Sequence, residues 1–304
     1  MAAVLPRTTA SAPPARQAAA PAAGLALAAL ATLVWSGSFV ASRGLHDSVP
    51  PVQHAFWRWV VALVAVAPFG ARQAWRQRAL IRHHARYVLL ASFLGVATYN
   101  TLVNQAGLTT PAATMGMIMA ASPVLMALFE RLGGVRLGAR RTTGLLIACA
   151  GVALLFGGGT AFSPGDLWMI AAACCFAGYS ALLRRKPTEL GGTAFLCTTF
   201  AVGTALLLPV QAASVTVQGG FTPTPGTVLP LLYVGVASSA VAFFAWNKAI
   251  TLIGATRAGI VYHLQPVCVA VLSWAVLGET TGPPQLLSMA LILGGVVLGA
   301  GSRR

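Results

Sequence analysis

A single arginine, Arg58, lies within the apolar stretch VQHAFWRWVVALV, residues 52–64. A guanidinium stays charged and presents five N–H donors in a planar fork, so it can bind a carboxylate with two parallel hydrogen bonds. In hydrocarbon, an unpaired arginine costs from about 2.5 to over 10 kcal/mol. Two interpretations are therefore open: Arg58 lines the path of an anionic substrate, or it is a structural arginine bound to carbonyls at a helix end.

Other polar and aromatic side chains in apolar stretches could line the same path. Buried polar groups are hydrogen-bonded to something, and that partner is either a substrate or a neighbouring helix. His263 could also carry a proton, or it could form a hydrogen bond with a neighbouring helix. The residues predicted to bind substrate together with Arg58 are Trp35, Tyr99, Asn100, Ser122, Tyr179, Trp246, Tyr262, His263 and Gln265.

Two prolines, Pro123 and Pro266, fall near the centres of two apolar stretches. Each removes one backbone hydrogen bond and leaves the carbonyl four residues earlier, at Met119 or Tyr262, without its partner. In a membrane that carbonyl must be satisfied by protein or by water. The pair predicts two helix breaks beside a polar cavity, with a simple packing kink as the alternative.

The whole chain must supply the elements that position these residues. It has 304 residues, a mean hydropathy of +0.77 and five acidic residues, a composition typical of an all-α integral membrane protein. We predict ten transmembrane helices from apolar stretches of roughly 17–23 residues, the length that crosses a bilayer. They lie near 24–42, 52–70, 86–104, 111–131, 142–158, 166–183, 193–211, 227–247, 256–277 and 284–301.

The net charge of +15 is explained by membrane orientation and predicts no nucleic-acid partner. With a cytoplasmic N-terminus and ten crossings, every lysine and arginine except Arg43 and Arg58 falls on one side, as the positive-inside rule requires. We therefore expect an inner-membrane protein with both termini and the loops 71–86, 131–141 and 184–192 in the cytoplasm. The Ala/Pro-rich residues 1–23 are predicted to be a disordered cytoplasmic tail.

The second half of the chain repeats the first at offsets of 140–143 residues. WSGSFVASR (35–43) matches FAGYSALLR (176–184), GVATYNTLVNQA (95–106) matches GVASSAVAFFAWNKA (235–249), and Pro123 matches Pro266. Five helices are an odd number, so the second unit must enter the membrane with the opposite sense. We predict two inverted five-helix repeats, 24–159 and 164–301, an architecture typical of secondary transporters. Thr199 is the repeat equivalent of Arg58.

The chain resembles an EamA-type member of the drug/metabolite transporter superfamily with two EamA repeats. The resemblance covers about 24–301 and rests on WSGSFVASRGL, on VPPVQHAFWRWVVALVAVAPF, on TPAATMGMIMAASPVLMAL and on the Pro, Gly-Glu and Gly-Val pattern of 254–299. It departs from the family where Val135-Arg136 replaces the Gly-Glu pair matching Gly278-Glu279. The resemblance implies ten helices, cytoplasmic termini, a central cavity between the halves, and export or exchange of small metabolites or drugs.

We therefore expect a secondary transporter, most simply an exporter of small amphipathic metabolites such as amino acids, working by alternating access. The expected partners are a small-molecule substrate and the lipid bilayer, and a homodimer is left open. The chain has no G-x-x-x-x-G-K-[ST] or H-E-x-x-H motif, and we expect no catalytic residue, cofactor or metal. Two rival functions stay open: an integral membrane enzyme using His263 or His54 on a lipidic substrate, and a passive channel.

Overall fold

The computed structural model describes residues 14–132, 138–157 and 162–300, and within these ranges all regular structure is helical. Two segments are π-helices, which have wider turns than the α-helices around them: Phe93–Thr98 (π1), with six residues, and Tyr233–Val241 (π2), with nine. The first half contains α1 (Pro14–Gly44), α2 (Pro51–Arg76), α3 (Arg78–His83), α4 (Ala85–Ser92), π1 (Phe93–Thr98), α5 (Tyr99–Ala106), α6 (Ala112–Ala120), α7 (Ser122–Leu132) and α8 (Ala139–Gly157). The second contains α9 (Pro164–Leu183), α10 (Gly192–Gln218), α11 (Pro225–Leu232), π2 (Tyr233–Val241), α12 (Ala242–Tyr262), α13 (Gln265–Leu277) and α14 (Pro283–Ala300).

Eight helical segments in the described chain are long and apolar enough to cross a membrane. The prediction of an all-helical, multi-pass membrane protein is confirmed at this level. Two further apolar helices, Ala112–Leu128 and Pro283–Gly299, are shorter, and the count of ten crossings stays a prediction. The eight segments are Pro21–Gly44, Pro51–Arg76, Ala85–Ala106, Ala139–Gly157, Pro164–Leu183, Gly192–Gln218, Pro225–Gly254 and Arg257–Leu277.

Helices extend into two regions that the sequence analysis placed outside regular structure. Helix α1 begins at Pro14, inside the predicted disordered tail, because proline suits the first helical turn and the alanines after it favour helix. Residues 1–13 of that tail lie outside the described chain. The predicted loop 71–86 is also helical, with only Gln77 and His84 between helices, since its Ala, Arg, Gln and Leu residues are good helix formers.

Glycines allow close contact between helices at several crossings. Helices α8 and α14 meet at Gly144 and Gly295, where an added Cβ on Gly295 would lie 2.5 Å from the Gly144 carbonyl oxygen. Helix α1 contacts π2, with Gly37 against the Tyr233 hydroxyl, and α9 contacts π1, with the Tyr179 ring against Gly95. These contacts place both π-helices inside the bundle.

Polar contacts gather the connecting segments at two ends of the bundle. At the end that we call the Glu279 end, Arg43 Nε donates to Glu279 Oε1 at 2.9 Å and Arg43 Nη1 donates to the carbonyls of Gly107 and Leu108. Glu279 Oε2 also accepts from the Ala112 backbone N–H at 3.0 Å and from the Ser273 hydroxyl. This one carboxylate therefore joins α1, the start of α6 and the end of α13.

The opposite end, which we call the Gln77 end, is held by contacts to the backbone. Gln77 Oε1 accepts from the Gly191 N–H at 3.0 Å, and Arg140 Nε donates to the Leu298 carbonyl at 3.1 Å. In contrast to the Glu279 end, these two contacts include no ion pair.

Helical structure is interrupted just before each of the two central prolines. Helix α6 stops at Ala120 and α7 starts at Ser122, directly before Pro123. Helix α12 stops at Tyr262 and α13 starts at Gln265, directly before Pro266. The two interrupted helices also touch, because an added Cβ on Gly116 of α6 would lie 3.1 Å from Val269 Cβ of α13.

Candidate functional site

Arg58 lies in the second turn of α2 and is only 8% exposed. Its Nε donates to Ser239 Oγ at 3.1 Å and its Nη2 donates to Ser238 Oγ at 3.3 Å. The guanidinium carbon also lies 5.4 Å from the centroid of the Trp59 ring. The third nitrogen, Nη1, makes no hydrogen bond to a described residue, so it has donor capacity to spare.

The π-helix π2 is what brings the two serines to Arg58. Ser239 Oγ donates to the Val234 carbonyl five residues earlier at 2.8 Å, a spacing that the wider π-helical turn permits. Gly235 of the same segment packs against Val61, and an added Cβ there would lie 3.1 Å from the Arg58 carbonyl oxygen. The close approach of π2 to α2 thus depends on a residue without a side chain.

The charge of Arg58 is not neutralised by an acidic side chain in the described part of the chain. Asp166 caps the start of α9 and accepts from Thr110 at 2.8 Å, while Asp47 is mostly exposed beside His46. Glu279 pairs with Arg43, and Glu189 lies on the surface. The hydrogen-bond partners of Arg58 are therefore two neutral hydroxyls, and no helix-end carbonyl is among them in the described chain. Whether Arg58 binds substrate or is structural stays a prediction.

A cluster of aromatic rings adjoins Arg58 through Ser238. Trp35 Nε1 donates to the Ser238 carbonyl at 2.9 Å, while the hydroxyl of the same serine accepts from Arg58. The Trp35 ring lies 5.4 Å from Trp246, 5.8 Å from Tyr262 and 5.5 Å from Phe243, measured between centroids. Trp35, Trp246 and Tyr262 were all predicted site residues, and the structure brings them together.

Tyr99 and Asn100 lie on α5, which continues from π1. The Tyr99 ring packs on Phe176 of α9 at 5.8 Å. Asn100 is 3% exposed, and its side-chain amide makes no hydrogen bond to a described residue. The contact of Tyr99 with Phe176 therefore packs α5 against α9.

The remaining predicted residues lie at or beyond the helix breaks. Ser122 is buried and its hydroxyl has no partner among the described residues. Gln265 is also buried, and its backbone carbonyl accepts from Ser36 Oγ at 3.3 Å. His263 is half-buried between α12 and α13, and its imidazole makes no hydrogen bond to a described residue. Tyr179 is apart from this group, because it packs with Leu190 and Phe195 in another apolar cluster.

Four residues at the site were not selected from the sequence: Ser238, Ser239, Tyr233 and Phe243. The available signal was the SerSer pair in GVASSAV, at the position where the first repeat has GVATYN. Tyr233 donates from its hydroxyl to the Val34 carbonyl at 2.6 Å, which fixes π2 against α1.

Together these side chains can bind an anionic group beside an aromatic surface. The fixed charge and the free Nη1 of Arg58 suit a carboxylate, and the rings suit an apolar or cationic group. No group of three or more His, Cys, Asp or Glu side chains suited to a metal ion occurs within the described residues.

Known protein sequences are similar to this chain over nearly its whole length. The model described as the EamA-like transporter family matches residues 22–157 and again 163–300. A protein of Streptantibioticus cattleyicolor named "Probable terminal-alkyne amino-acid exporter" is 29% identical over 280 residues, covering 88% of this chain and 90% of that protein.

Two further comparisons cover a similar part of the chain. A protein of Archaeoglobus fulgidus named "Uncharacterized transporter" is 27% identical over 266 residues, covering 83% of this chain and 89% of that protein. One crystal structure superimposes with a TM-score of 0.61 at 21% identity, covering 91% of this chain and 96% of that one. The last similarity shows a shared fold.

Proposed function

Because the chain belongs to the EamA-like transporter family, we propose that it is a secondary transporter that exports small amphipathic metabolites bearing an anionic group, with amino acids as the leading class. The observation that carries this proposal is Arg58, a buried cation in an apolar helix whose bonded partners are two serine hydroxyls. A cation in that position is costly unless a binding partner or water compensates it. A substrate carboxylate supplies the missing negative charge.

The aromatic cluster supports an amphipathic substrate. The rings of Trp35, Trp246 and Tyr262 offer a large apolar surface. Ser238 joins this surface to Arg58, because it accepts hydrogen bonds from both Trp35 and Arg58. Such rings bind hydrocarbon groups and attract an ammonium group through their faces. An amino acid carries a carboxylate, an ammonium and an apolar side chain, and a relative is named as an amino-acid exporter.

We further propose that the transporter crosses the membrane ten times as two inverted repeats, 24–159 and 164–301. Reciprocal contacts support this arrangement. Gly37 of α1 faces Tyr233 of π2, while an added Cβ on its sequence match Gly178 of α9 would lie 3.7 Å from Leu94 of π1. Likewise, Val61 of α2 packs on Gly235 of π2, while Val96 of π1 packs on Gly203 of α10. The pairings of α1 and α2 with π2 thus have counterparts in the pairings of α9 and α10 with π1.

The two helix breaks support an alternating-access mechanism. Each break leaves backbone groups outside regular helical bonding, and such interrupted helices form the midplane sites of many secondary transporters. The touching helices α6 and α13 carry one break each, so rocking one repeat against the other would open the site first to one side and then to the other. Ser122, Asn100 and Gln265 supply buried polar groups along that path.

The proposed orientation places both termini at the cytoplasmic face of the inner membrane, with the Gln77 end inside and the Glu279 end outside. The asymmetric distribution of lysine and arginine supports it. Cysteines introduced singly at residues 78 and 188 should resist a membrane-impermeant maleimide in intact cells and react in inside-out vesicles. Labelling of either position in intact cells would contradict the orientation.

Transport into inside-out vesicles tests the function, with leucine and its uncharged-carboxyl analogue leucinamide as probes. Arg58→Ala should abolish leucine uptake and spare leucinamide uptake. Arg58→Lys should weaken leucine uptake, because a lysine keeps the charge but loses the planar fork. Arg72→Ala, which removes an exposed cation from the same helix, is the matched control and should leave both activities unchanged.

Membrane abundance by immunoblot accompanies each uptake measurement. If the Arg58→Ala protein does not accumulate in the membrane, the structural interpretation of Arg58 is correct. If it accumulates normally but loses leucine uptake and leucinamide uptake equally, Arg58 acts in the conformational cycle. A chemically altered lipid product in place of transport would support the rival membrane enzyme. Conductance that does not saturate would support a channel.

A further inference from the structure

A cavity of about 490 Å³ lies on the side of the bundle, between α2, α10 and α11, and is separate from the Arg58 site. Its walls include Trp57 and Val61 of α2, Val215 of α10, and Leu231 and Leu232 of α11. Its volume is within the range of roughly 300–1,000 Å³ that is usual for small-molecule sites. Arg58 does not line it, so the cavity is not used by the proposed transport mechanism.

One polar side chain in this cavity lacks hydrogen-bond partners. Gln211 of α10 is 92% buried, and its Oε1 has no hydrogen-bond partner among the described residues. Its Nε2 also makes no hydrogen bond to a described residue. Leaving a buried amide unpaired is destabilising, so this amide is suited to a ligand with a polar group. The amide offers one acceptor and one kind of donor, and a hydroxyl group can satisfy either.

The second glutamine of the cavity, Gln53, is already engaged. Its Nε2 donates to the Gly219 carbonyl at 2.7 Å and to Ser214 Oγ at 3.2 Å. These bonds hold the end of α10 against α2 and give the cavity a fixed rim next to residues 219–223. Gln211 is therefore the cavity amide for which neither polar atom is hydrogen-bonded to a described residue, whereas Gln53 uses its Nε2.

The character of the walls restricts the ligand. The lining residues carry no charged side chain, so a carboxylate or phosphate would enter without a counter-ion. The lining residues Trp57, Val215 and Leu232 are 40–43% exposed and lie within candidate membrane spans, and we infer from this that the cavity opens toward hydrocarbon. The ligand must therefore enter from the bilayer as an uncharged, largely apolar molecule.

We propose that this cavity binds one neutral, single-chain amphipath, a long-chain alcohol or monoacylglycerol type of molecule, with its hydroxyl on the Gln211 amide and its chain along Trp57, Val61 and Leu232. The cavity volume suits one chain better than a diacyl lipid. A phospholipid would also bring a phosphate to a surface without cations. The proposal is independent of the substrate site and adds a second ligand to the transporter.

Photolabelling of the purified full-length transporter in phosphatidylcholine nanodiscs tests this inference. Three C16 probes carry the same diazirine in the chain and differ only at one end: an alcohol, a carboxylic acid and a plain hydrocarbon. Mass spectrometry locates labelled residues. The alcohol should label residues 53–61 or 211–232, be displaced by unlabelled hexadecanol, and exceed both other probes by roughly three- to tenfold.

Two variants distinguish the contribution of the Gln211 amide from that of the cavity volume. Gln211→Leu should reduce labelling by the alcohol to that by the hydrocarbon, and Val215→Trp should block all three probes by filling the cavity. Val210→Trp, an exposed position on the same helix outside the cavity, is the matched control and should change nothing. Labelling of wild-type protein by the hydrocarbon or the acid as strongly as by the alcohol would overturn the proposal, and so would co-purified phospholipid filling the cavity. The probe comparison in wild-type protein needs no variant to fold.

Discussion

Arg58 Nε lies 3.1 Å from Ser239 Oγ, and this hydrogen bond joins helix α2 to the π-helix π2. The hydroxyl of Ser239 accepts this bond and donates in turn to the Val234 carbonyl. The orientation of the guanidinium therefore depends on the geometry of π2.

Ser239→Ala should weaken transport of carboxylated substrates. Hydrogen bonds to charged groups contribute about 1.5–3 kcal/mol, so the KM for leucine should rise roughly tenfold or more while that for leucinamide changes little. Thr204→Ala, whose hydroxyl bonds only to its own helix at Phe200, is the control. An equal effect on both probes would assign Ser239 to the support of π2 alone.

Replacement of either central proline should impair transport without loss of protein. Pro123→Ala and Pro266→Ala restore a backbone donor and remove a residue that disfavours continuous helix by about 3 kcal/mol, so each break should tend to close. Uptake into vesicles, normalised to membrane abundance, measures the effect. Pro209→Ala is the control, because α10 continues unbroken through Pro209. If both central variants transport normally, the breaks have no role in the cycle.

The Arg43–Glu279 ion pair should stabilise the closed form of the Glu279 end. Glu279→Gln removes the charge but keeps an oxygen that can accept from Ala112 and Ser273, so the protein should fold and its Glu279 end should open more often. A cysteine introduced at Ser38 should then react faster with a polar maleimide. The control is Asp47→Asn, which removes an exposed carboxylate at the same end. An unchanged reaction rate in Glu279→Gln would show that this pair does not control access.

The crossing of α8 and α14 offers a comparison of neighbouring glycines. An added Cβ on Gly295 would lie 2.5 Å from backbone atoms of Ala148 and Gly144, whereas one on Gly294 meets nothing within 4 Å. Backbone cannot yield as a side chain can, so Gly295→Ala should lower the thermal midpoint of the purified protein. Overpacking of this kind costs about 1–3 kcal/mol. Gly294→Ala should be neutral, and equal effects of the two would argue against the close crossing.

Much of the architecture could be predicted because hydropathy and charge act locally. Apolar stretches of membrane-spanning length identify helices directly, and each central proline marks a helix break through its own missing N–H. Arg58 could be selected in the same way, because a single charged residue in an apolar stretch is visible in the sequence itself. The aromatic residues Trp35, Trp246 and Tyr262 could be selected because large polar-tipped rings are few in such a chain.

The contacts of Arg58 could not be predicted, because they depend on which helices meet. Ser238 and Ser239 look like ordinary small residues of an apolar helix, and the change from an α- to a π-helical turn leaves little trace where nearly every residue is apolar. Tyr179 was selected from the sequence because it is a polar ring in an apolar helix. In the structure it packs in a separate cluster, and a role for it in substrate binding stays a prediction. The helices within 71–86 were missed because a charged segment was interpreted as a loop.

The unequal lengths of π1 and π2 bear on how the site arose. The offset between the matched halves is 140 where the π-helices begin, at Phe93 and Tyr233, and 143 where they end, at Thr98 and Val241. If one ancestral unit was duplicated, three extra residues were taken up inside the wider turns of π2 without rotating the flanking helices out of register. That same segment carries the two serines bound to Arg58. A small insertion in one copy would then have turned a symmetric scaffold into one that distinguishes the two ends of its cargo.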